Sequence, residues 1–185
     1  DGVIVIKKDD KYYKRAFDGS INIKWFGAKG DGYTDDTINV QNAFNIVGEI
    51  FPPIDLSSGI YFSGAKIFFP NGKYNISETL ILRPGLSLDF ESLNGCNIHC
   101  ITHKTAITNV IGNNAGNIEC AYPFKINNLT LTQGGLELQK AWFSEVSNVI
   151  IMNLAGDVET GTHTQRESRI GLTIRQNTGL RLNNI

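Results

Sequence analysis

The segment Ile126-Asn127-Asn128-Leu129-Thr130-Leu131 returns 20 residues later as Val146-Ser147-Asn148-Val149-Ile150-Ile151, and Leu182-Asn183-Asn184-Ile185 follows 36 residues beyond that. A second element keeps the longer step. Gly135-Leu136-Glu137-Leu138 and Gly171-Leu172-Thr173-Ile174 are also 36 apart, and each Gly stands thirteen residues before the Asn of its own unit, Asn148 or Asn184. A weaker copy runs from Gly85-Leu86-Ser87-Leu88 to Asn97-Ile98. Short strands recurring at about 20–25 residues are what a parallel β-helix needs, because each coil must return to stack on the one before it. Asn at a recurring corner has a physical reason. It tolerates left-handed backbone angles, and its amide can hydrogen-bond to the Asn one coil away. The step of 36 then implies an insertion of about 16 residues in one coil, falling within 153–169.

Composition agrees with this reading. Gly and Asn each occur 19 times in 185 residues, beside 23 Ile and 13 Thr, a mixture suited to many short strands and tight turns. With 41% hydrophobic and 19% charged residues, the chain is not disordered. Its 17 Lys and Arg against 18 Asp and Glu exclude a strongly basic nucleic-acid binder. Apolar runs are only a few residues long, so no membrane insertion is expected. The chain opens on Asp1-Gly2 and closes on a strand-like segment, and it is expected to be a piece of a longer protein.

Three regions are expected: a hairpin and lead-in over 1–34, a helix and loop over 35–59, and coils over 60–185. Val3 to Lys7 and Lys11 to Arg15 read as two strands joined by Lys8-Asp9-Asp10. Ile21 to Phe26 alternates as a further strand. After the bend Gly27-Ala28-Lys29-Gly30-Asp31-Gly32, Thr34 is the expected N-cap, Asp35 and Asp36 fall in the first turn, and Gly48 is the stop. Val40, Ala43, Phe44 and Val47 form one apolar stripe. This helix, over 35–47, is expected to cover the open N-terminal edge of the stack. Pro52-Pro53 and Ser57-Ser58-Gly59 make 51–59 a loop.

The string Trp25-Phe26-Gly27-Ala28-Lys29-Gly30-Asp31-Gly32-Tyr33-Thr34-Asp35-Asp36-Thr37, then Val40-Gln41 and Ala43-Phe44, resembles the lead-in motif of the pectate-lyase-like superfamily. More narrowly, it resembles the rhamnogalacturonase/epimerase-like branch, which includes bacteriophage tailspike depolymerases and secreted bacterial polysaccharide-degrading enzymes. Phe69-Pro70-Asn71-Gly72-Lys73-Tyr74-Asn75-Ile76 is similar to that family's first-coil signature, aromatic-Pro-x-Gly-x-Tyr. The hairpin with Lys11-Tyr12-Tyr13-Lys14-Arg15 is similar to the lead-in of many tailspike-like proteins. The expected fold is all-β: a right-handed single-stranded parallel β-helix with an N-terminal hairpin and a capping α-helix. One such fold hosts hydrolases, lyases and pure binders, so the chemistry must come from particular residues.

Asp31, Asp35 and Asp36 are assigned to helix-start structure rather than catalysis. Cys96, His99, Cys100, His103 and Cys120 suggest zinc at first sight. On one strand, however, the two cysteines face one way and the two histidines the other, so no metal site and no cofactor are expected. Glu119, Glu137 and Glu145 read as solvated strand residues. Trp142 either anchors a corner or stacks on a sugar ring. The insertion is richer, with Asp157, Glu159, His163, Arg166 and Glu167 as candidate catalytic residues and Arg169, with Trp142, as substrate contacts. Two carboxylates suit glycoside hydrolysis, and a base beside cations that neutralise a uronate suits β-elimination. The Asn-Thr-Asp, Asp-Asp, Gly-His-Gly and Arg-Ile-Lys motifs of polygalacturonase-type hydrolases are missing, as is the Trp-Ile-Asp-His signature of calcium pectate lyases. Catalytic residues of the parent are therefore also expected beyond Ile185.

The expected function is the N-terminal part of a polysaccharide-degrading β-helix protein, a glycoside hydrolase or polysaccharide lyase of the capsule-depolymerase type. The alternative is a non-catalytic carbohydrate-binding or tail-assembly module. The expected partners are a polysaccharide substrate or receptor and two further copies in a homotrimer, with no nucleic acid. The expected setting is extracellular or on a virion tail, with a secreted bacterial protein as the alternative.

Overall fold

Strict alternation of apolar and polar residues in short segments makes strands that bury one face, and here those strands coil into three parallel sheets. The computed structural model describes residues 3–17, 19–51, 54–56, 59–61, 66–102, 104–114, 117–121, 123–152, 171–176 and 179–185. β1 (Val5–Lys8) and β2 (Lys11–Lys14) form the expected antiparallel hairpin. β3 (Ser20–Asn22), β4 (Asp31–Asp35) and helix α1 (Thr37–Ile50) follow, then a short antiparallel pair, β5 (Ile54–Leu56) and β6 (Gly59–Tyr61). Coil one holds β7 (Lys66–Phe69), β8 (Gly72–Ile76) and β9 (Leu80–Ile81). Coil two holds β10 (Ser87–Phe90), β11 (Cys96–Cys100) and β12 (Thr105–Thr108), followed by an antiparallel excursion, β13 (Val110–Asn114) and β14 (Asn117–Cys120). Coils three and four are β15 (Lys125–Thr132) with β16 (Gly135–Gln139), and β17 (Glu145–Met152) with β18 (Leu172–Arg175). β19 (Arg181–Asn183) begins the next coil.

The first sheet stacks β3, β7, β10, β15, β17 and β19 in parallel. The second stacks β4, β8, β11 and the later halves of β15 and β17, and the third stacks β9, β12, β16 and β18. This is a parallel β-helix with right-handed coils, the hand that parallel crossovers adopt. Both sequence steps are register steps. Ile126 pairs with Val146, 20 residues on; Val146 pairs with Leu182 and Leu136 with Leu172, each 36 on. The weak copy at Gly85 belongs elsewhere. Ser87–Asp89 pair with Lys125–Asn127 in the first sheet, whereas the strand of Gly135 lies in the third.

Corners repeat as the spacing implied. Asn128, Asn148 and Asn184 all have left-handed backbones, with φ of 61°, 52° and 52°. Another corner is closed by one side chain. Asn109 Nδ2 donates to Ala121 O at 3.0 Å and Gln139 O at 2.7 Å, and its Oδ1 accepts from Gln139 N at 2.8 Å. It thus ties the start of the β13–β14 excursion to its end and to the next coil.

Four local expectations need correction. Only Ser20–Asn22 is strand; Ile23–Phe26 is a 3-10 turn ended by Gly27 in the left-handed conformation. Thr34 does not cap the helix. Asp31–Asp35 is held as strand β4 against β8, so the helix begins only at Thr37. Gly48 does not stop the helix, which runs to Ile50; a Cβ there would lie 2.6 Å from Arg83 Cβ, so the glycine serves close packing on coil one. The segment 51–59 contains strand β5 rather than loop alone.

The core is a set of stacked columns. Ile21, Ile67, Leu88, Ile126 and Val146 lie in register and buried. Phe69 stacks on Phe90 with centroids 4.4 Å apart. Val40, Ala43, Phe44 and Val47 are buried, and Phe44 meets Phe69 edge-on at 6.5 Å. Burial of Val40 and Phe44 stabilises by about 1.5–3 kcal/mol each. The helix also covers a strand edge with polar groups. Gln41 Oε1 accepts from Ile81 N at 2.8 Å, and Gln41 Nε2 donates to Ile81 O at 3.0 Å, as a neighbouring strand would.

Candidate functional site

Outward residues of a parallel stack form columns, so single polar residues in each strand become continuous polar walls. On the first sheet, Lys66 Nζ lies 3.1 Å from Asp89 Oδ2. Asn127 Nδ2 donates to Asp89 Oδ1 at 3.0 Å, and Ser147 Oγ donates to Asn127 Oδ1 at 3.1 Å. Beside this run, Lys125, Glu145 and Arg181 share a column, with Lys125 Nζ 3.9 Å from Glu145 Oε2.

The second sheet carries Asp35, Asn75, His99, Thr132 and Met152 in one column on the side away from the core, in which Asn75 and Thr132 are buried and Met152 is exposed. Thr132 Oγ1 donates to Asn97 Oδ1 at 3.1 Å, which commits its only proton. His99 Nδ1 lies 2.8 Å from the same hydroxyl, Thr132 Oγ1. At the lower end of the column, burial pushes the Asp35 pKa up. Hydrogen bonds from Ser77 and Thr37 outweigh it and hold the carboxyl below its ordinary value.

Glu137 stands outward on the third sheet, in register with Thr108 and Thr173. Its Oε1 accepts from Gln139 Nε2 at 2.8 Å and its Oε2 from Thr108 Oγ1 at 3.5 Å. Glu137 is half-buried, not simply a solvated strand residue. Its link to Gln139 is legible in the sequence, since the two are two residues apart and alternation puts both on the same face of one strand.

The corner between the second and third sheets of coil four is where the insertion leaves the stack. β17 ends at Met152 and β18 starts at Leu172. The stack is closed below this gap, since Gln133 N donates to Met152 O at 3.0 Å and Leu136 N to Gly171 O at 2.8 Å. The insertion therefore springs from between the His99–Thr132 column and the Glu137 column. Asp157, Glu159, His163, Arg166, Glu167 and Arg169 lie outside the described residues. Trp142 is on the corner between β16 and β17, 37% exposed.

The aspartates of the lead-in motif are structural. The Asp36 carboxylate accepts from Lys29 N at 2.6 Å and Gly30 N at 2.8 Å, folding the loop back on the first rung. Asp31 accepts from Thr34 N, Tyr33 N and the Thr34 hydroxyl, which hold its carboxyl down at about 2. Cys96 and Cys100 point inward and are buried, with His99 on the opposite face; His103 lies outside the described residues. Among the described residues there is no group of three or more His, Cys, Asp or Glu placed to hold a metal ion. Nor is any described helix long and apolar enough to cross a membrane.

Comparison with known proteins adds the following. Plasmin and fibronectin-binding protein A of Streptococcus pneumoniae is 30% identical over 94 residues, which are 48% of this chain and 12% of that protein. The solved structure of ORF18 from Geobacillus virus E2 is similar in fold, with a TM-score of 0.54 at 13% identity over 96% of this chain and 41% of its own. The A-module of a mannuronan C-5 epimerase from Azotobacter vinelandii gives 0.48 at 13% identity, over 84% of this chain and 50% of its own. The chain thus spans less than half the length of the first two. The family described as rhamnogalacturonase A/epimerase, pectate lyase-like, matches residues 20–184, nearly the whole coil stack with its lead-in, and the chain belongs to that family.

Proposed function

We propose that this chain is the N-terminal part of a polysaccharide-processing β-helix protein of the tailspike-depolymerase type. It acts on an acidic or complex polysaccharide at the corner after β17. The observation that carries this reading is the placement of the insertion. It leaves a rigid stack between two polar walls, one with His99 and Thr132 and one with Glu137 held by Gln139. A loop rooted in a rigid scaffold is where binding and catalytic groups concentrate. Asp157, Glu159, His163, Arg166 and Glu167 are the catalytic candidates and Arg169 a substrate contact there, while Trp142, on the separate corner before β17, is a substrate contact away from the insertion. For hydrolysis, one carboxyl protonates the leaving oxygen while a second, ionised, assists attack at the sugar carbon. For elimination, a base removes the proton beside a uronate carboxylate whose charge an arginine offsets. The proposed assembly is a homotrimer, outside the cell or on a virion.

Incubating the chain and its full-length parent with capsular and plant polysaccharides tests this reading. New reducing ends report cleavage, and a new ultraviolet absorbance from an unsaturated uronate reports elimination. Joint replacement of His163, Arg166 and Glu167 is expected to abolish the signal; full retention refutes the assignment. A second reading, a non-catalytic binding module, is favoured by the similarity to a protein named for binding plasmin and fibronectin. It predicts retention of a ligand without either product.

A further inference from the structure

The turn from β16 to β17 places two aromatic rings in solvent. Trp142 is 37% and Phe143 is 63% exposed, while the neighbouring Ala141 and Ser144 are buried. Its backbone is tied on both sides. Lys140 N donates to Arg175 O at 3.1 Å, and Arg181 N donates to Ser144 O at 3.0 Å. Phe124 N donates to Ser144 Oγ at 3.2 Å. Inside this fixed turn, Phe143 has φ of 55°. That region penalises any residue with a Cβ, and a bulky ring most of all.

The stack supplies its own control. One coil later the same position is Gly179, with φ of 73°. A Cβ at Gly179 would lie 4.0 Å from Phe143 Cδ1, so the Phe143 ring reaches over it. Glycine thus satisfies the backbone at this corner, and Phe143 departs from it at a cost in both strain and exposed apolar surface. Backbone held in a sparsely populated region by its surroundings is a mark of a working surface. Lys140 lies two residues before Trp142, and Arg181 continues the adjoining column above Glu145, whose carboxylate lies 3.9 Å from Lys125 Nζ.

We propose that Trp142 and Phe143 form a stacking subsite for a pyranose ring of an acidic polysaccharide, with Lys140 and Arg181 meeting its carboxylates. The C–H face of a sugar ring is apolar, so it packs on an aromatic face while its hydroxyls stay in water. The turn needs no ordering on binding, which lowers the entropic cost. This inference rests on the polysaccharide reading above and adds the residues of one subsite.

Affinity electrophoresis of the chain in gels containing polygalacturonate, alginate or dextran tests it, with thermal melting run in parallel. The wild-type chain is expected to be retarded by an acidic polymer and not by dextran. Phe143→Gly is expected to weaken retention about three- to tenfold while its melting temperature holds or rises. Trp142→Ala is expected to weaken retention as well. Unchanged retention of Phe143→Gly, or a lowered melting temperature, overturns the subsite and leaves the polysaccharide reading standing. A wild-type chain retarded by none of the three polymers overturns both.

Discussion

The side-chain amide of Asn148 donates from Nδ2 to Oδ1 of Asn128, 3.1 Å away and one coil earlier. Its own Oδ1 accepts from Asn184 Nδ2 at 2.9 Å, so the Asn148 amide is both donor and acceptor along the stack. Asn148→Ala removes these bonds and leaves a Cβ residue without an amide at φ of 52°. The expected loss is about 1–3 kcal/mol. Asn148→Gly keeps the backbone angle and should cost about 1 kcal/mol less than Asn148→Ala. Urea denaturation of the two variants checks the order, and equal losses would show that the backbone angle is irrelevant.

Gln41 stands in for a strand. Gln41→Ala leaves Ile81 N–H and C=O without their side-chain partner, for an expected loss of about 1–3 kcal/mol. Gln41→Glu keeps an acceptor for the N–H but turns a second oxygen on the carbonyl, so it should also destabilise. Melting temperatures equal to wild type in both variants would contradict the edge-covering role.

Much of this arrangement is legible in the sequence, for reasons that also explain the misses. The steps of 20 and 36 show because coils three to five share the same Asn corner. Coil two hides because its corner is the longer segment 91–95, where Leu93 O accepts from Thr130 Oγ1 in place of an Asn ladder. The helix start is misread because Asp31–Asp35 pairs with β8, a long-range contact that outweighs local capping preference. The pairing of Gln41 with Ile81 leaves no local trace, since the partners are 40 residues apart. The insertion shows by subtraction from the register, and the two walls around it appear only when strands are stacked.

Asp31 and Asp35 set an acid limit. Both carboxyls are held below their ordinary value of 3.8, Asp31 at about 2. A depressed folded-state value contributes stability that is complete above the unfolded value and lost as pH falls through the folded one. Melting temperature should therefore fall between pH 3.8 and about 2. The Asp31→Asn/Asp35→Asn variant should show a shallower slope over that window. Parallel slopes would exclude these two groups as the cause.

The three thiols should separate by reactivity. Cys96 and Cys100 are buried, and desolvation pushes the Cys96 thiol up to about 12. Cys120 is only half-buried. With an aromatic disulfide reagent at about pH 8, Cys120 should react first and the other two only on unfolding, because the thiolate is the reacting species. Simultaneous labelling of all three in the folded protein would mean that the coil interior opens readily.

Asn109 gives the stack an unusual freedom. Its amide fastens the departure point of the β13–β14 excursion to its return at Ala121 and to Gln139 above. Whatever chain runs between those two points starts and finishes at the same place, so the rungs above and below do not register its length. A different excursion could be inherited or grafted here while the shaft stays the same, making this corner an exchangeable fitting.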